Sequence, residues 1–319
     1  MVGAAAEPRP VLILAGPTGV GKSEWAERLA ETAPLEIVSV DSAQVYRGLD
    51  IGSAKPDIAT RRRIPHHLID VCDAAESYSA GRFVSDAVAA IGQIHARGRV
   101  PLLVGGTMLY FRALLNGLAP LPPASVQRRR ELDERASREG WPALHAELAR
   151  LDPVAAARIN SSDSQRIQRA LEVCYTSGRP ISELQRDRVS ALSEMRVRGW
   201  ALVPGERQVL HERLEARFRA MLSAGFLEEV RSLQRRGDLN AASPSMRAVG
   251  YRQLWAHLEG QYSLQEAEQR GIFATRQLCK RQLTWLRSDT SLQRLDPLAA
   301  QAWASWNGDV RRILQELGF

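Results

Sequence analysis

Gly16-Pro17-Thr18-Gly19-Val20-Gly21-Lys22-Ser23 sets glycines, a lysine and a hydroxyl at the spacing G-x-x-x-x-G-K-S. Glycines without a Cβ let the backbone turn back and approach an anion closely. The loop's N–H groups and the start of a following helix offer partial positive charge to a polyphosphate. Lys22 adds a full charge, and the Ser23 hydroxyl suits a bound Mg²⁺. The bland alternative is a glycine-rich turn closed by a lysine. The loop by itself does not say whether the polyphosphate is ATP or another, so other residues must name the chemistry.

Asp41 opens Asp41-Ser42-Ala43-Gln44-Val45-Tyr46-Arg47 directly after an apolar run. A carboxylate there can act as a general base toward a nucleophile brought to the phosphate, or hold Mg²⁺ or an acceptor hydroxyl as in a nucleotide kinase. A structural capping role is the alternative, because Asp and Ser favour such exits from strands. Asp70 is the second choice of acid.

Three basic segments suit a polyanion. In Arg276 to Arg287, Leu278, Cys279, Leu283, Trp285 and Leu286 fall on one helical side, with Arg276, Gln277, Lys280, Arg281, Thr284 and Arg287 on the other. A phosphate-backbone track and a solvated basic face are the two readings of that pattern. Gln165-Arg166-Ile167-Gln168-Arg169 repeats the theme with side chains able to read or stack on bases. Arg247-Ala248-Val249-Gly250-Tyr251-Arg252 pairs arginines with an aromatic, and fits an RNA contact or a plain helix start equally well. A structural role is expected for His66 and His67.

The elements that must position these residues follow from periodicity. Val11 to Ala15, Glu36 to Asp41, His67 to Val71 and Val100 to Thr107 are expected as strands, with a helix over Gly81 to Arg97. Strand–helix alternation implies an α/β fold, a P-loop NTPase-like core with a mostly parallel sheet. Ligands gather at the carboxyl ends of such strands, which places the phosphate loop, Asp41 and Thr107 on one rim. After Leu118-Ala119-Pro120-Leu121-Pro122-Pro123 the pattern turns helical to about Ser190. The expected division is therefore 1–118 core, 119–195 helical insertion, and 196–319 a return to the core followed by a helical C-terminal region. Trp200 to Val203 is expected as a late strand, and helices over Glu206 to Arg236, Ala248 to Glu259 and Leu264 to Arg287.

Composition excludes several classes. The 319 residues are 45% hydrophobic and 25% charged, ordinary for a globular protein. No apolar run is long enough to span a bilayer. The opening Met1 to Pro10 lacks signal-peptide character, so a cytoplasmic protein is expected. Cys72, Cys174 and Cys279 are too scattered for a disulfide framework or zinc finger. The net charge of +7, from 43 Lys and Arg against 36 Asp and Glu and carried mostly by arginine, fits a polyanionic partner.

Taken together, the phosphate loop, Asp41 to Arg47, Asp50-Ile51-Gly52-Ser53-Ala54-Lys55-Pro56, Pro65 to Asp70, Gly105-Gly106-Thr107-Met108-Leu109-Tyr110, Arg247 to Arg252 and Lys280 to Arg287 resemble the bacterial tRNA dimethylallyltransferases, the IPP transferase family. These runs cover nearly the whole chain. The departures are mild: Gly19-Val20 and Ser23 stand where the family more often has Ala-Ser and Thr, and Ser53 replaces a usual Thr. The zinc-finger extension of eukaryotic relatives is not expected.

The resemblance implies transfer of a dimethylallyl group from dimethylallyl diphosphate to the exocyclic amine of the adenosine 3′ of the tRNA anticodon, with Mg²⁺ as cofactor. It assigns catalysis to Asp41, Thr107 and Lys22. Diphosphate contacts go to Gly16, Pro17, Thr18, Gly19, Val20, Gly21, Lys22, Ser23 and Arg217. Contacts with the tRNA anticodon stem-loop go to Asp41, Ser42, Ala43, Gln44, Thr107, Arg129, Gln165, Arg166, Ile167, Gln168 and Arg169. They continue with Arg247, Ala248, Val249, Gly250, Tyr251, Arg252, Lys280, Arg281, Gln282, Leu283, Thr284, Trp285, Leu286 and Arg287. A monomer that does not engage membranes is expected. The alternatives are a P-loop small-molecule or nucleoside kinase, which would consume ATP, and a non-catalytic RNA-binding protein.

Overall fold

The computed structural model describes residues 9–186 and 188–319; most of the Met1 to Pro10 segment, read above for a signal peptide, lies outside them. Two compact units form, one from the chain up to Arg112 and from Glu194 onward, the other from Ala113–Ser193. The second unit opens before residue 119, the expected boundary.

The first unit is built on a parallel sheet. Its strands are β1 (Pro10–Ala15), β2 (Leu35–Val40), β3 (His66–His67), β4 (Val100–Gly105), β5 (Arg196–Leu202) and β6 (Gln293–Leu295), in the order β3-β2-β4-β1-β5-β6. Every residue of β1, β2 and β4 is buried, as strands covered on both faces require. That is why β1 and β4 read as apolar runs, while β2 also buries Glu36 and Ser39. Register aligns Ala15 with Gly105 on one side and Ala201 on the other, and Val40 with Gly105. The ends of β1, β2 and β4 therefore meet at one rim.

Helices α1 (Lys22–Ala30), α2 (Ile58–Arg63), α3 (Ala80–Ala96) and α4 (Met108–Asn116) follow these strands. Helix α3 buries Phe83, Ala87, Ala90, Ile91 and Ile94, a 3–4 spacing along one face, and the Ser79 hydroxyl caps its start by accepting from Arg82 N. In the second unit α5 (Val126–Glu139), α6 (Trp141–Leu151), α7 (Pro153–Ala156), α8 (Ser164–Ser177) and α9 (Ile181–Leu184) enclose a separate core that includes Leu132, Leu144, Leu148, Ile167 and Leu171. The chain then returns through β5 to α10 (Arg207–Ser223), α11 (Phe226–Arg235), α12 (Tyr251–Leu258), α13 (Leu264–Ser288) and α14 (Ala302–Glu316).

Four expectations change. His67 to Val71 is not a strand: Leu68 and Asp70 take φ of 62° and 59°, which turns the chain out of the sheet after His67. Glu206 to Arg236 is two helices, because Gly225 adopts φ 102° between them. The helix expected from Ala248 begins at Tyr251, after Gly250 at φ 90°. Strand β6 and helix α14 were not foreseen, yet α14 supplies Trp306, Val310 and Leu314 to the core beside Leu12, Leu14, Leu102 and Trp200.

Candidate active site

The loop between β1 and α1 wraps back on the sheet. Gly16 N donates to Gly105 O at 3.3 Å, and Gly21 N-caps α1 in the left-handed region, φ 99°. That conformation costs little only without a Cβ. At Gly19, φ 76°, a Cβ would also stand 2.6 Å from the Leu214 side chain of α10. Gln282 of α13 pins the loop from the other side. Its Oε1 accepts from Thr18 N at 2.9 Å, and its Nε2 donates to Gly106 O at 2.7 Å.

A cavity of about 400 Å³ opens beside the loop. Thr18, Gly19, Gly21, Lys22 and Ser23 line it together with Asp41, Gln44, Gly105, Gly106, Arg213 and Arg217. Its volume lies in the range of small-molecule sites. Burial and the neighbouring Arg217 lower the Lys22 pKa to about 7, while Asp41 opposes the shift. Burial likewise lowers the pKa of Arg217, and Asp41 again favours the charged form. One carboxylate thus faces two desolvated cations, a field suited to an anion that arrives from solution.

Asp41 is held by its own turn. Its Oδ1 accepts from Ala43 N at 2.8 Å and Gln44 N at 3.2 Å. Ser42 N donates to Thr107 Oγ1 at 3.1 Å, and Thr107 N donates to Val40 O at 3.2 Å. The β2 exit and the β4 exit are therefore tied together at the rim. The cap occupies Oδ1 while the side chain still lines the cavity, so the turn does not withdraw Asp41 from it. Asp70, the second acid, is paired with Lys55 and Arg61, each at 2.6 Å.

The isopentenyl transferase model matches residues 9–65, and the IPP transferase model matches residues 44–289. The chain belongs to the IPP transferase family. It is 54% identical to a tRNA dimethylallyltransferase of Bordetella parapertussis, over 97% of this chain and 99% of that one. It is 57% identical to one of Methylococcus capsulatus, over 90% and 92%. A solved tRNA isopentenylpyrophosphate transferase of Bacillus halodurans shares 33% identity at a TM-score of 0.69, covering 97% of this chain and 98% of that one. A eukaryotic dimethylallyltransferase acting on tRNA shares 27% identity at a TM-score of 0.78, covering 96% and 78%.

In this chain the remaining segments divide by face. Lys280, Arg281, Thr284 and Arg287 are exposed on α13, whereas Leu283 and Leu286 are buried and Gln282 is engaged with the loop. Gln165 and Arg166 are exposed on α8, but Ile167 is fully buried. Arg129 and Arg169 both donate to the buried Glu172 carboxylate, and Gln168 donates to Asp133 at 2.7 Å. Arg247 and Arg252 are exposed, while Gly250 and Tyr251 are buried, and Tyr251 Oη donates to Glu229 at 2.6 Å. Within the runs expected to contact RNA, Ile167, Gly250, Tyr251, Leu283 and Leu286 correct the expected contact set, because their side chains or Cα positions are buried in the protein interior, while the largely buried Gln282 lines the cavity. Gln44 is also internally bonded, accepting from the Ser39 hydroxyl and donating to Ser53 O and Ala54 O.

Residue-level reading missed Arg213, Glu229 and the true partner of Gln282. Arg213 lines the cavity four residues before Arg217, a spacing that puts both on one side of a helix and was available in the sequence. Glu229 accepts from Asp50 N, Ile51 N and Gly52 N and from Tyr251, so α11 fixes the loop that continues from Gln44. No local signal marks that role.

Proposed function

We propose that the chain transfers the dimethylallyl group of dimethylallyl diphosphate to the exocyclic N6 amine of the adenosine 3′-adjacent to the tRNA anticodon, releasing diphosphate. The observation that carries this reading is the single cavity shared by the phosphate loop, Arg217 and Asp41. As the allylic C–O bond breaks, charge builds on the departing diphosphate. Loop N–H groups, Lys22 and Arg217 stabilise that charge more in the transition state than before it. The N–C bond forms from a delocalised amine whose proton turns acidic only as bonding proceeds. Asp41 accepts that proton, and Thr107 fixes the adjoining segment through Ser42. The adenine must first leave its stack to enter the cavity.

Mg²⁺ fits as a cofactor held mainly by the diphosphate. Among the described residues no group of three or more His, Cys, Asp or Glu side chains could hold a metal ion. The cavity offers the Ser23 hydroxyl and the Glu24 carboxylate instead, and Mg²⁺ commonly takes few protein ligands alongside substrate phosphates and water. When bound, it neutralises charge on the leaving group. Exposed cations of α8, α12 and α13 are assigned to tRNA phosphates, and Gln165 and Arg166 to the stem-loop. No helix among the described residues is long and apolar enough to cross a membrane.

Incubation with dimethylallyl diphosphate and an unmodified tRNA tests the reading: equimolar diphosphate release and tRNA alkylation are expected. Asp41→Asn keeps an acceptor for the Ala43 and Gln44 N–H groups and removes the base. It is expected to lower kcat by about 10²–10⁴ while tRNA still binds. ATP turnover without alkylation would establish the kinase alternative, which the family relationship does not favour.

A further inference from the structure

The run Met108-Leu109-Tyr110-Phe111 opens α4, and three of its side chains are buried: Met108 is 8% exposed, Tyr110 4% and Phe111 2%. Leu109 alone points outward, at 61% exposure. It stands two residues beyond Thr107, whose hydroxyl is bonded to Ser42 N, and follows Gly105 and Gly106 of the cavity wall. Backbone bonds from Thr107 O to Tyr110 N at 2.9 Å and Phe111 N at 3.3 Å hold this turn in place. Exposed Arg112 lies one turn on, on the same side as Leu109. A branched apolar side chain is thus exposed two residues along the chain from the Thr107 hydroxyl that ties the β2 exit to the β4 exit, with an exposed cation one helical turn on.

Removing a base from a stack leaves a gap, and the apolar side chains that nucleic-acid-bending proteins insert between base steps, Leu among them, show that such a side chain can stand in a base stack. We infer that Leu109 occupies the place vacated by the target adenine in the anticodon loop, while Arg112 holds a flanking phosphate. This rests on the reading under Proposed function, in which the adenine enters the cavity.

The test uses the full chain and an anticodon stem-loop RNA carrying 2-aminopurine in place of the target adenosine, a base whose fluorescence rises on unstacking. Among the described residues no aromatic side chain lines the cavity, so the wild-type protein is expected to produce a rise. Leu109→Ala and Leu109→Ser are expected to lose most of it and to lower kcat/KM for tRNA by about 5- to 100-fold, the scale of one lost stacking contact. Leu109→Met is expected to restore both, and inhibition by inorganic diphosphate to stay unchanged throughout. Full fluorescence and rate in Leu109→Ala and Leu109→Ser would overturn the wedge. No rise with the wild-type protein would instead overturn base eversion, and with it the reading on which the wedge rests.

Discussion

Lys22 is the residue whose surroundings most alter its chemistry. Its ammonium is half lost near neutral pH because burial and Arg217 both disfavour the charge, bringing its pKa to about 7. A diphosphate beside it favours the charged form, so the complex has the higher pKa and binding takes up a proton. Affinity for dimethylallyl diphosphate is therefore expected to be full below pH 7 and to fall by up to tenfold per unit above it, until the pKa of the complex is reached. Between pH 8 and 9.5 the substrate phosphates are fully ionised, so the decline there reports the protein. Calorimetry in buffers of different ionisation enthalpy should show proton uptake in wild type and none in Lys22→Arg, whose guanidinium stays charged. Equal proton uptake in both proteins would assign the effect elsewhere.

At the scale of elements, α13 closes the site from a distance in sequence. Gln282 joins Thr18 N to Gly106 O across a separation of 264 residues in the first case. Gln282→Leu keeps much of the volume and leaves a donor and an acceptor without partners. It is expected to cost about 1–3 kcal/mol of stability, measured by urea unfolding, and to raise the KM for dimethylallyl diphosphate as the loop loosens. An unchanged KM would mean that the loop holds its shape through Gly16, Gly19 and Gly21 alone. The loop that continues from Gln44 is fixed in a similar way by Glu229 of α11.

Within the first unit as a whole, α1 and α14 seal one face of the sheet. Trp306 is fully buried there, between Trp25, Trp200 and Trp303 at ring separations of 5.5, 6.2 and 5.5 Å. Trp306→Ala removes a large core side chain that cannot be replaced by collapse of a rigid sheet. The expected loss is about 3–5 kcal/mol, seen as a lower urea midpoint at unchanged slope. A change below 1 kcal/mol would show that α14 is peripheral to the core. Such a loss would lower the fraction of folded enzyme without altering the KM of the enzyme that remains folded.

The sequence by itself determined the strand–loop–helix around Gly16 to Ser23, the α/β alternation and the acid after β2. Each is local: buried parallel strands are largely apolar runs, and a phosphate loop needs its glycines at fixed spacing. It did not determine which members of a motif face inward. Ile167 and Tyr251 sit in the same short runs as exposed arginines, and only packing sends them to the core, whereas helical periodicity had already put Leu283 and Leu286 on the apolar side. The three-residue β6 was likewise invisible, because it is defined only by pairing with Trp200–Leu202, whereas α14 carries Ala302, Trp306, Val310 and Leu314 at a spacing of four within the expected helical C-terminal region, and structure decided only which sheet face they cover. Tertiary structure also decided that Arg213, Arg217 and Gln282 converge on residues 16–41, since a cavity wall assembled from distant helices has no signature in any one segment.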